Sequence, residues 1–138
     1  MSVFIVKLFK GKIPKISFQK AKEKILGKKY ELEIIFAAPK LMKNLNKAYR
    51  GKSGSTNVLS FSLNKEMGEL FLDLNEIKKE AIEAGIEYGA YFLRIFIHGL
   101  LHLKGFDHGR RMVLKEKNFF KLFESDAKKY NSRDRHRI

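Results

Sequence analysis

The chain has 138 residues, 44% of them hydrophobic, including twelve Phe and five Tyr, which is enough for one domain with one buried core and argues against disorder over most of its length. It has no cysteine, which excludes thiolate metal ligation, thiol catalysis and a disulfide framework and fits a reducing compartment. Its net charge of +14, from 29 Lys+Arg against 15 Asp+Glu, makes polyanions its natural partners, with nucleic acid first, although a lysine-rich proteome or a need for solubility would leave the same balance.

Taken in order, Val3 to Leu8 reads as a short strand, and the four-residue apolar run before Lys7 is too short for a signal peptide. Phe18, Ala21 and Ile25 recur at helical spacing up to Gly27, with the intervening lysines placed on the outer face. Tyr30 to Phe36 begins with polar–apolar alternation and reads as a second strand. Pro39 opens a helix through Leu41, Leu45 and Ala48 that ends near Tyr49 and Arg50. Residues 51–56 are loop by composition. Asn57–Ser62 and Gly68–Asp73 are β-type runs five residues apart, which suits a hairpin. Asn75 to Ala84 reads as a helix with Ile77, Ala81 and Ile82 inward, ended by Gly85.

Tyr88 to Lys104 is a long helix that is apolar on several faces, as befits the centre of a small domain; Arg94 and two histidines within it argue against a membrane span. A last helix runs from about Gly109 to Lys129 with Met112, Phe119, Phe120 and Phe123 on one side. The order predicts an α+β fold: a small mixed four-stranded sheet packed with about five helices, the central apolar helix carrying two of three metal-binding histidines. Residues 1–130 form one domain, and 131–138 are expected to be a basic, mobile tail. The cytoplasm is the expected location, with no membrane partner.

Three of the four histidines fall in His98-Gly-Leu-Leu-His102-Leu-Lys-Gly-Phe-Asp107-His108. His98 and His102 are four apart and share a helix face. Gly105 can stop the helix in a left-handed cap, so that the chain turns and returns His108 beside them. Three imidazoles around one point suit one Zn²⁺ with a fourth position open, although other divalent ions accept the same ligands. The spacing overlaps the zincin pattern H-E-x-x-H-x-x-G-x-x-H, but Gly99 stands where a metallopeptidase carries its glutamate base. Asp107 is placed either to orient a ligand histidine or as a solvated turn residue.

A second group precedes the third strand: Arg50, Lys52, Thr56 and Asn57, with Gly51 and Gly54 among them. It combines a forked anion binder, a point charge and hydroxyl and amide donors, a set able to hold a phosphodiester near a metal. An ordinary surface turn would look similar.

Leu45-Asn46, Tyr49-Arg50 and Thr56-Asn57-Val-Leu-Ser-Phe61, followed by the histidine motif, resemble the YbeY family of bacterial rRNA maturation factors. Ser55 stands where the family often has proline, and Glu69 where it often has aspartate. The resemblance implies a zinc-dependent, single-strand-specific endoribonuclease acting on RNA in 16S rRNA 3′-end processing and in ribosome assembly or quality control, with the ribosome or its proteins as partners. It implies zinc at His98, His102 and His108 and a functional arginine at Arg50 beside the metal. Arg50 and His98 are then the catalytic residues, and Lys52, Thr56 and Asn57 join Arg50 in binding substrate. The rival expectations are a non-catalytic RNA-binding assembly factor with structural zinc and, less well supported, a metallopeptidase.

Overall fold

A computed structural model describes residues 2–52, 54 and 56–135, with side chains as far as Glu124. The described elements are β1 (Val3–Lys7), α1 (Phe18–Leu26), β2 (Glu31–Phe36), α2 (Pro39–Arg50), β3 (Val58–Asn64), β4 (Met67–Leu72), α3 (Leu74–Ala84), α4 (Tyr88–Lys104) and α5 (Arg110–Arg135). The strands form one sheet in the order β1-β2-β4-β3. β1 with β2 and β2 with β4 are parallel, because a helix intervenes in each connection. β3 and β4 are consecutive and pair antiparallel. The domain is therefore α+β with a mixed four-stranded sheet and five helices.

The period of two in β2 divides its side chains between two cores. Leu32, Ile34 and Phe36 join the larger core, and Ile35 joins a smaller one with Met42 of α2. α4 fills the larger core with Phe92, Leu93, Phe96, Ile97, Leu100, Leu101 and Leu103, all buried. Each such side chain contributes about 1.5–3 kcal/mol when removed from water. The Phe18 ring meets Phe36, Phe92 and Phe96 edge-on, at centroid distances of 6.4, 6.1 and 5.2 Å. α4 is thus packed along its whole length, with one face, which carries Arg94, His98 and His102, left more open, and no described helix is long and apolar enough to cross a membrane.

Several local expectations change in the folded chain. Lys22 does not lie on the outer face of α1: it is fully buried, and its Nζ donates to the carbonyls of Gly27 at 3.1 Å and Lys28 at 2.9 Å. Its ammonium thereby satisfies carbonyls at the end of α1 that no helical N–H reaches. Ile82 is not inward but 72% exposed, while Ile77 and Ala81 are buried, so the apolar stripe of α3 is narrower than its sequence suggests. The β3–β4 hairpin is tighter than expected, since both strands extend until only Lys65 and Glu66 separate them, with a register shift between Ser62 and Asn64. The Asn64 carboxamide oxygen accepts from the Glu66 N–H at 2.9 Å and closes that turn. α5 continues through Arg135, into the stretch read as a tail, and residues 136–138 of that tail lie outside the described residues.

Candidate metal centre

Arg94, His98 and His102 follow one another at intervals of four along α4 and form one stripe where the helix leaves the core. Gly105 ends the helix at φ +108°, a backbone shape that side chains with a Cβ rarely adopt. The Gly105 N–H bonds back to the His102 carbonyl and the Phe106 N–H to that of Leu101, each at 3.0 Å. This tight reversal carries His108 back to the other two histidines. Ring centroids lie 4.6 Å apart for His98 and His102, 5.4 Å for His98 and His108, and 4.9 Å for His102 and His108. One ring nitrogen from each falls within 4.8 Å of the others. The expected three-histidine group therefore forms.

Its electrostatics favour the ligating state. Burial lowers the pKa of His102, the neighbouring His98 and His108 lower it further, and Arg50 adds to the same effect, against a hydrogen bond with the Phe106 backbone. Neutral imidazole is the form that binds a metal ion. His98 Nδ1 lies 2.5 Å from Glu116 Oε1 on α5. A carboxylate there holds the proton on Nδ1 and aims Nε2 inward, and His98 Nε2 sits 3.1 Å from His102 Nε2. Converging imidazole nitrogens, with a carboxylate behind one of them, fit a divalent ion.

The carboxylate supporting His98 is thus Glu116, a residue sequence reasoning missed. Asp107 is exposed, and among the described residues it makes no hydrogen bond to a histidine. A signal for Glu116 was present: it stands at helical spacing from Met112, Phe119, Phe120 and Phe123, an acid on the apolar stripe of α5.

Gly99 owes its identity to packing. A Cβ there would lie 2.5 Å from Leu70 Cδ1 and 3.1 Å from Val58 Cγ2. Ser60 Oγ donates to the Gly99 carbonyl at 3.0 Å. This position faces the sheet and is buried, so a glutamate here would have to enter the helix–sheet contact, which adds a geometric reason against the peptidase reading.

The histidines open on a cleft of about 680 Å³. One wall carries Arg94, Ile95, the three histidines and Glu116; the other carries Tyr49 and Arg50 from the end of α2 and residues 56–61 leading into β3. Thr56 and Asn57 line this second wall, and each has a donor engaged. Thr56 Oγ1 donates to the Val58 carbonyl at 3.3 Å, and Asn57 Nδ2 reaches both Glu80 carboxylate oxygens at 3.0 and 3.3 Å. The Tyr91 hydroxyl also donates to Glu80, at 3.1 Å, and the Asp73 N–H bonds to the Asn57 carbonyl at 3.0 Å. These contacts fix Thr56 and Asn57 in the wall of the cleft. Lys52 is exposed and does not line the cleft. Arg50 and the exposed ring of Tyr49, which packs edge-on to Phe61 at 5.2 Å, stand at its mouth. Sequence reasoning left Tyr49 and Arg94 without a role at the site.

A three-histidine group able to hold a metal ion, with Arg94 beside it and Arg50 on the opposite wall of one cleft, is the site of a metal-dependent hydrolase. The family model described as Endoribonuclease YbeY matches residues 6–131, and the chain belongs to that family. It is 40% identical over 97 residues to the Endoribonuclease YbeY of Neorickettsia sennetsu, covering 65% of this chain and 68% of that one. It is 33% identical over 119 residues to that of Pelagibacter ubique, covering 80% and 74%. Across such relatives the matched segment spans from 44% to 75% of the relative's own length. A solution structure from Thermotoga maritima superposes with a TM-score of 0.60 over 95% of both chains at 22% identity, a likeness of fold.

Proposed function

We propose that this chain is an endoribonuclease that cleaves single-stranded RNA at a zinc-loaded His98–His102–His108 centre, and that its substrate is ribosomal RNA, including the 16S 3′ end, matured in the cytoplasm in company with ribosomal proteins. Family membership supports the RNA substrate. The observation that carries the chemistry is the meeting of Arg50 and the three histidines in one cleft, close enough for the arginine to act on the charge of His102. Zinc is the ion of choice because three imidazoles complete three tetrahedral positions and leave one for substrate or water. When bound, the ion supplies Lewis-acid polarisation of a phosphoryl oxygen.

The chain's own residues do the rest. Glu116 holds His98 in the tautomer whose Nε2 faces inward. Arg50 grips two phosphate oxygens through its planar fork and opposes the charge that builds in the transition state. Asn57, tied to Glu80, keeps the wall below Arg50 in one shape. Lys52 and the exposed lysines add sequence-independent attraction.

The second reading is a non-catalytic RNA-binding factor with structural zinc. That role calls for a fourth protein ligand, whereas the ion-holding group among the described residues consists of three histidines. The test is single-turnover cleavage of single-stranded RNA by purified protein, before and after chelation and zinc return, beside His98→Ala. Cleavage that vanishes with the metal and in the variant supports the enzyme. RNA binding at full zinc content without cleavage supports the second reading.

A further inference from the structure

A second groove of about 330 Å³ lies between α4 and α5, lined by Arg94, Val113, Glu116, Lys117, Phe120 and Lys121. It adjoins the cleft of the metal centre, because Arg94 and Glu116 line both. We propose that this groove is a second RNA subsite, which holds a nucleotide of the same single strand next to the one at the metal centre.

Three features of the groove select this occupant. Its floor is apolar, with Val113 48% exposed and Phe120 half-buried, and so offers a surface on which a base can leave water. Its rim is cationic: Arg94, Lys117 and Lys121 are all exposed, and the one carboxylate among the lining residues, Glu116, is engaged by His98. The pairing of apolar floor and cationic rim matches a nucleotide, which presents a flat base and a phosphate together. Continuity is the third feature. Arg94 precedes His98 by one helical turn, about 6 Å along the axis, a step that an extended strand covers with one nucleotide. The Arg94 guanidinium lies over the Phe120 ring at 5.0 Å, so that a base meets the outer plane of the guanidinium and the exposed Val113, while the forked edge is left for phosphate oxygens. Arg50 and Arg94 thus grip successive phosphates from opposite walls, and Lys117 and Lys121 receive the strand beyond.

This inference rests on RNA being the substrate, and the test separates the two. Binding of a long and a short single-stranded oligouridylate is measured against salt for the zinc-loaded wild type and for Lys117→Ala/Lys121→Ala, in which two exposed side chains change and the fold is not at risk. The expected result is an affinity for the long oligomer about tenfold lower, with a salt slope reduced by about 1.4, or 0.7 for each lost phosphate contact. The short oligomer, which fills only the metal cleft, should lose far less. Cross-linking of a 4-thiouridine oligomer to the α5 peptide that contains Phe120 should accompany it. Wild type that binds both oligomers while the variant loses neither affinity nor slope overturns the second subsite alone. Wild type that binds neither overturns the RNA reading, and the subsite with it.

Discussion

The two walls of the cleft are built by different physics. The α4–α5 wall rests on the core: the helix bearing His98 and His102 buries seven large side chains, and Glu116 comes from the helix packed beside it. The α2–β3 wall is the end of a helix and a loop, with Arg50 just before the left-handed Gly51 at φ +65° and the loop tied down through Asn57. His98 and His102 sit on the rigid, core-packed wall, with His108 on the short turn that follows it, while Arg50 sits on the opposite wall at the end of a helix, where position depends on a loop and its few ties. If this division is right, changes on the first wall should cost metal and chemistry together, while changes on the second should separate chemistry from metal.

The largest effect is expected from His98→Ala with His102→Ala. Both side chains are half-buried, so the fold should persist by circular dichroism while bound zinc is lost and the single-turnover rate falls about 10³-fold or more, the loss of several kcal/mol of metal assistance. Stoichiometric zinc in that double variant would remove the site from the rigid wall. Next comes Arg50→Lys, which keeps the charge and loses the fork. It should slow cleavage at saturating RNA about 10²-fold with zinc content unchanged and affinity barely moved. A full rate in Arg50→Ala would take the residue out of the chemistry.

Glu116→Gln should weaken zinc binding about 10- to 100-fold, measured by competition with a chelator, while Asp107→Asn should do nothing. Equal effects from the two would dissolve the distinction between the supporting carboxylate and the solvated one. Asn57→Ala should lower stability by about 1 kcal/mol through its lost bonds to Glu80, visible in the denaturant midpoint, and leave zinc content alone.

The smallest expected effect is on the metal-free protein with changing pH. His102 has its pKa lowered by burial and by its histidine neighbours, so the unfolded chain binds its proton more readily than the folded one. The stability this contributes is present above the ordinary histidine pKa of about 6.5 and is lost as pH falls through the lowered value. Chelated protein should therefore need less denaturant to unfold as pH drops through that window, and His102→Ala should flatten the trend. Unchanged midpoints in both proteins would show that His102 is not perturbed.

Much of this molecule is legible in local sequence. Because a strand or helix with one apolar face has few ways to bury it, hydrophobic period and glycine stops place the elements near their observed ends, except for the C-terminal end of α5, which runs past the expected Lys129 to Arg135. The H-x3-H-x5-H spacing with Gly105 contains its own geometry: a helix brings four-apart residues together, and a left-handed cap turns the chain back within six residues. What local sequence leaves open is set by neighbours distant along the chain. Lys22 looks solvent-facing until the carbonyls of Gly27 and Lys28 are seen to enclose its ammonium. Nothing local to Asn57 shows that its amide N–H reaches Glu80, twenty-three residues on.

Asp107 is nearer to the histidines in sequence than Glu116, yet the packing of α5 on α4 brings Glu116 to His98 Nδ1. The elements, their order and the meeting of His98, His102 and His108 are local properties, since they depend on apolar period and on spacing within one helix and its cap. Which carboxylate backs His98, which partner Asn57 takes and which arginines share the cleft are properties of the packed chain, since they depend on how separate elements meet.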